Sequence, residues 1–172
     1  MAKLFLTQVP TEVDLEKNRL DFHPEIDSTS MRSHLLLRKI STDLETNLDA
    51  FLSRYNLSPG RFTLLLVLRS NRETGMMPSE LAHTVGVTQA TISGLINTLE
   101  KAELVERTTH EKDGRAFVIR LTSKGHETVG TIAPEYYSRL NTFWAQFSQD
   151  EKKSLNGFLE KMITNIQQLG AK

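Results

Sequence analysis

Pro78-Ser79-Glu80-Leu81-Ala82-His83-Thr84-Val85-Gly86-Val87-Thr88-Gln89-Ala90-Thr91-Ile92-Ser93 is the stretch that decides the fold of this chain. Pro78 suits the first turn of a helix, where its missing N–H would have no partner. Gly86 stops that helix about two turns later, since glycine is the usual residue just past a helix end. Val87-Thr88 then opens a second helix at once, and it runs to about Ala102. A short helix, a tight glycine-containing turn and a second helix make a helix-turn-helix.

The second helix has two unlike faces. Ile92, Leu95, Ile96 and Leu99 recur at steps of three, one and three, which buries one side. Gln89, Ala90, Ser93, Gly94 and Asn97 fall on the other side, with Thr88 and Thr91 near the N-terminal end. No charge enters this face until Glu100 and Lys101. A face that only meets water is normally rich in Lys and Glu. Small residues let the backbone approach a partner surface, and Thr, Ser, Gln and Asn can each donate to and accept from base edges. Thr88, Gln89, Ala90, Thr91, Ser93 and Asn97 are therefore candidate DNA contacts.

Working outward, Leu104-Val105-Glu106-Arg107-Thr108-Thr109 and Ala116-Phe117-Val118-Ile119-Arg120-Leu121 both read as strand. Asp113-Gly114 between them is a hairpin signal. A hairpin after a helix-turn-helix is a wing, and its tip offers Lys112 and Arg115. Upstream, Ser58-Pro59 caps a helix reaching about Arg69, whose Leu64–Leu68 run is apolar nearly all round and belongs in the core. Before it, residues 30–55 form a long helix with Ile40, Leu44, Leu48, Leu52 and Tyr55 on one stripe.

Two helices close the chain. Thr122 caps the first, which reaches about Phe147 with Pro134 inside it. Ser148-Gln149-Asp150-Glu151 is a capping box for the second, which carries Leu155, Phe158, Leu159, Met162, Ile163, Ile166 and Leu169. A compact winged helix does not need all of this apolar surface, so part of it is expected to pack on a second copy. At the other end, Thr11 and Asp14 start a short helix carrying Val13, Leu15 and Leu20, followed by a turn over residues 21–29. The expected organisation is an arm over 1–29, a dimerisation helix over 30–57, a winged helix-turn-helix lobe over 58–121 and C-terminal dimerisation helices over 122–172. The fold class is mainly α with a small β-hairpin wing.

Composition narrows the function. The 172 residues hold 21 Lys and Arg against 21 Asp and Glu, so the formal net charge is zero. That excludes a uniformly basic nucleic-acid coat and an acidic tail protein. Between 58 and 124 nine basic residues face seven acidic ones, a weak excess that matters only where it concentrates. The absence of cysteine excludes disulfides, cysteine zinc sites and a thiol switch. His23, His34, His83, His110 and His126 show no ligand-like spacing, so no metal and no cofactor is expected. No nucleophile turn or phosphate loop points to an enzyme. The apolar runs are too short for a membrane span or a signal peptide, which leaves a cytoplasmic protein as the expectation.

The chain resembles the MarR family of transcriptional regulators across about residues 31–169. The residues that carry the resemblance are Leu57-Ser58, Arg61-Phe62, Leu65, Ser79-Glu80-Leu81-Ala82 and Gly86-Val87-Thr88-Gln89-Ala90-Thr91-Ile92-Ser93. They continue in Leu99-Glu100-Lys101, Leu104-Val105-Glu106-Arg107, Lys112-Asp113-Gly114-Arg115-Ala116 and Leu121-Thr122-Ser123-Lys124-Gly125. The resemblance implies a homodimer on a palindromic double-stranded operator, with the recognition helix in the major groove and the wing in the minor groove. It puts the wing's Asp-x-Arg pattern on Asp113 and Arg115, the carboxylate holding the guanidinium for insertion. Arg107 and Lys112, with Lys101, read either as phosphate contacts that join the set or as solvated charges.

The family often has arginine where this chain has Gly114, Gln89, Gly94 and Thr98, so arginine-driven affinity is reduced here. Many relatives hold a small molecule where the dimer helices meet the lobe. The matching residues here are His34, Arg38, Arg61, Phe62, Arg69 and Trp144, a set suited to an anionic phenol, although Phe62 and Trp144 also read as plain core. The competing readings are a helical module that binds another protein, a regulator that takes no ligand, and a non-specific DNA-coating protein.

Overall fold

A computed structural model of the chain describes residues 7–22, 25, 27–109 and 117–170. The core is built around α3 (Pro59–Ser70), where Phe62, Leu64, Leu65 and Leu68 are buried. Ser58 caps it by accepting from the Arg61 N–H, with Pro59 in the first turn. Leu66 and Val67 pack against the cluster but stay partly exposed, so the burial of the apolar run is incomplete.

Against α3 lie α4 (Pro78–Val85) and α5 (Gln89–Lys101), the expected helix-turn-helix. The Met77 N–H donates to the Glu80 carboxylate at 2.8 Å, and Gly86 takes the left-handed backbone conformation that ends α4. Strands β1 (Val105–Thr109) and β2 (Phe117–Leu121) pair antiparallel, from Val105 opposite Leu121 to Thr109 opposite Phe117. Met76 adds a short third rung by exchanging backbone hydrogen bonds with Ile119, at 3.1 and 2.8 Å. Sequence patterning gives no hint of this rung, because one residue cannot alternate.

The long helix α2 spans Ser28–Ser53 and begins two residues before the expected start. Asp27, expected in the preceding turn, caps it by accepting from the Ser30 N–H at 2.7 Å and the Ser30 hydroxyl at 2.6 Å. Its end folds back through Asn56 in the left-handed region, with the Leu57 N–H on the Leu52 carbonyl. α1 (Glu12–Phe22) packs on α2 and buries Leu15 while Val13 stays exposed. The side chain of Leu20, expected beside them, lies outside the described residues.

α6 (Ser123–Trp144) ends three residues before the expected Phe147, because Ser148 starts a new capping box for α7 (Gln149–Asn165). α7 passes into a single 3-10 turn, Ile166–Leu169. Val129, Ile132 and Ala133 bury α6 against the core, whereas α7 buries no residue.

At the junction of α2 and α6, one carboxylate gathers three donors. Glu135 accepts from Arg54 Nη2 at 2.6 Å, Tyr55 Oη at 2.6 Å and Arg139 Nη2 at 3.0 Å. The Arg54 and Arg139 guanidiniums each lie 4.9 Å from the Phe51 ring centroid. The Tyr55 hydroxyl and the two guanidiniums hold the Glu135 carboxyl down at about 2.

Candidate nucleic-acid interface

The exposed face of α5 is prepared by its own first turn. Thr88 is the N-cap: its hydroxyl oxygen accepts from the Thr91 N–H at 3.2 Å and shares a 2.9 Å hydrogen bond with the Thr91 hydroxyl. That pairing fixes both threonine side chains without burying them. Ile92, Ile96 and Leu99 are at most 1% exposed, which locks the rotation of the helix about its axis. Thr88, Gln89, Ala90, Thr91, Ser93 and Asn97 are accordingly all on the solvent side. Thr98, beside them, turns its hydroxyl back onto the Gly94 carbonyl at 2.9 Å.

The C-terminal end of this face is tied to the hairpin. Arg107 Nη2 donates to Asn97 Oδ1 at 2.7 Å and lies 3.4 Å from Glu100 Oε2. The same guanidinium sits 5.3 Å from the Phe117 ring centroid. Phe117 and Arg107 are diagonal neighbours on one face of the hairpin, within reach for long side chains. Arg107, expected as a phosphate contact or a solvated charge, is thus engaged with α5. Only geometry could reveal this, since residues 97 and 107 sit on different elements. The wing candidates Lys112, Asp113 and Arg115 lie outside the described residues, as does His110.

The six expected effector residues fall into separate places. Phe62 is 2% exposed and meets Tyr136 edge-on at 5.7 Å, so it is core and presents nothing to a ligand. Trp144 belongs to another aromatic group, with Phe143 at 5.0 Å and Phe147 at 5.5 Å. With Phe147, Leu155 and Phe158 it lines an open depression of about 490 Å³ between α6 and α7. Arg61 donates to its own cap, Ser58 Oγ, at 3.1 Å. Arg69 reaches the His126 carbonyl at 3.3 Å. His34 and Arg38 are exposed on α2. Among the described residues of one chain these six do not converge, because the core claims Phe62 and the α6–α7 corner claims Trp144. Among the same residues no group of three or more metal-ligating side chains is found.

Comparison with known proteins agrees with this architecture. A model of the MarR family matches residues 55–116, the span from the end of α2 through the helix-turn-helix into the hairpin. The chain is 29% identical to the HTH-type transcriptional repressor YetL of Bacillus subtilis (strain 168), over 81% of this chain and 86% of YetL. It is 26% identical to the transcriptional repressor MprA of Escherichia coli (strain K12), over 78% of this chain and 76% of MprA. Its fold superposes with a TM-score of 0.71 on S. aureus MepR in a MepR–DNA complex, at 23% identity over 77% of this chain and 95% of MepR. With its helix-turn-helix, its hairpin and its flanking helices, the chain is similar to MarR-family regulators, and residues 55–116 are the part that the family model matches.

Proposed function

We propose that this chain is a homodimeric, sequence-specific DNA-binding transcriptional repressor. The observation that carries the reading is the uncharged, small-residue face of α5, held outward by Ile92, Ile96 and Leu99. In this reading Thr88, Gln89, Ala90, Thr91, Ser93 and Asn97 meet the major groove. Arg115, steadied by Asp113, enters the minor groove, and Lys112 meets phosphate. Phosphate contacts set the register and base contacts carry the sequence information. YetL and MprA are named repressors, and MepR is seen on DNA, which supports the same role here.

The dimer is supported by apolar surface that one chain leaves uncovered. Leu37, Ile40 and Leu44 on α2, Phe143, Trp144 and Phe147 at the end of α6, and Phe158, Met162 and Ile163 on α7 are all exposed. This many large apolar side chains left exposed fit an association site. No helix among the described residues is long and apolar enough to cross a membrane, so a bilayer-spanning segment is not the reason for it.

A small anionic, phenol-like molecule is the proposed effector. Its support is the basic character of His34, Arg38, Arg61 and Arg69. The dimer would have to complete the pocket, because one chain does not bring these residues together. By linkage the effector favours a form of the dimer that fits the operator poorly. The test is a binding selection on genomic fragments with the purified protein, run with and without small aromatic acids. Enrichment of one palindromic sequence, lost on adding an acid, is the expected result. Retention of every fragment alike would contradict sequence-specific repression.

A further inference from the structure

Resting on the DNA-binding reading above, we infer that Arg107 is a positioning residue that fixes how Asn97 reads a base. A guanidinium has donors and no acceptor. The Asn97 amide atom facing Arg107 Nη2 at 2.7 Å is therefore its oxygen, Oδ1. That leaves the Nδ2 group, with two donors, as the outward edge of the amide. Asn97 follows Ala90 and Ser93 at steps of three and four, so it continues the line of the proposed contact face.

The arrangement is held from three sides. Asn97 takes one donor of Arg107, Glu100 Oε2 lies 3.4 Å from the same nitrogen, and the Phe117 ring supports the guanidinium at 5.3 Å. Arg107 and Glu100 side chains both keep 41% of their surface exposed, so the cluster sits at the protein surface and not within the core. An unrestrained asparagine pairs with adenine through both its oxygen and its nitrogen. With Oδ1 held by a cation, Asn97 presents donors first, which favours acceptor edges: guanine N7 and O6, adenine N7, or thymine O4. The charge of Arg107 is spent on Asn97 and Glu100, so it adds little as a phosphate contact.

The test is selection from a randomised duplex library, followed by affinity measurements on the enriched sequence and its single-base variants across salt concentrations. Wild-type protein is compared with Arg107→Met, Asn97→Ala and the double variant. Each single variant should flatten discrimination by about tenfold at the same base pair of each half-site, with no further loss in the double. The slope of log affinity against log salt should stay at its wild-type value in Arg107→Met. Arg107→Lys keeps the charge without the planar fork, so it should broaden the same position and retain the slope. A wild-type base profile in Arg107→Met with the slope reduced by about one makes Arg107 a phosphate contact and overturns the inference. A wild-type profile in Arg107→Lys or in Asn97→Ala overturns it as well. Failure of the wild-type protein to enrich any sequence overturns the DNA reading itself, which separates the two failures.

Discussion

The backbone of Gly125 lies against the carbonyl of Leu104 so closely that a Cβ on residue 125 would collide with that oxygen. Three features meet there. The Thr122 hydroxyl donates to the Glu103 carbonyl at 2.6 Å, the Thr122 N–H donates to the Leu104 carbonyl at 3.2 Å, and the Gly125 N–H donates to Thr122 Oγ1 at 3.0 Å. The start of α6 is thereby clamped onto the joint between α5 and β1. Gly125→Ala should force the two apart and destabilise the fold by about 1–3 kcal/mol, the usual cost of overpacking. Chemical denaturation measures the loss, and the hydrogen-exchange protection of α5 should fall with it.

Glu103 adopts a left-handed backbone, φ 60°, just past the end of α5. The Leu104 N–H on the Leu99 carbonyl and the Glu103 N–H on the Glu100 carbonyl close a Schellman-type end. Glycine suits this conformation better than any residue with a Cβ. Among the described residues the Glu103 side chain makes an exposed ion pair with Lys124 at 3.0 Å, which is worth little. Glu103→Gly should therefore raise stability by about 0.5–1 kcal/mol in equilibrium unfolding.

Glu135 ties α2 to α6 as a carboxylate. Its folded value of about 2 lies below the ordinary 4.5, so it binds protons less readily folded than unfolded. Its contribution is therefore fully present above pH 4.5 and fades as pH falls toward about 2. Glu135→Gln should lower the melting temperature at neutral pH. The gap between variant and wild type should close as melts are repeated from about pH 4.5 down to about 2.

Ile163 is 71% exposed and Phe158 63% exposed on a helix that buries nothing within its own chain. Ile163→Asp should turn the proposed dimer into a monomer, or raise its dissociation constant at least tenfold, as read by sedimentation. The helical circular dichroism of the lobe should persist. Trp144 is the one tryptophan of the chain and stands 36% exposed beside Phe147. Its emission should shift to longer wavelength in the same variant.

Legibility from sequence followed the range of the interactions. The caps at Ser58, Thr122 and Ser148 were readable because a side chain and the N–H it receives are three residues apart. The buried face of α5 was readable because periodicity is local. The Met76 rung and the reach of Arg54 and Tyr55 to Glu135 join residues far apart in sequence, and the link from Arg107 to Asn97 joins two different elements, where no spacing rule applies. The partners of the expected effector residues were not readable for a related reason. A basic or aromatic residue reads alike whether it faces a ligand or, as with Phe62, the core.

The most direct test of the central claim is competition between a selected duplex and its scrambled counterpart for the wild-type protein, followed over rising salt. Binding through α5 and the wing predicts a preference of about a thousandfold or more that persists as salt weakens both, with protection of two half-sites about one helical turn apart. It also predicts that Arg115→Ala lowers the salt slope by about one. Equal affinity for the two duplexes at every salt concentration would contradict the claim.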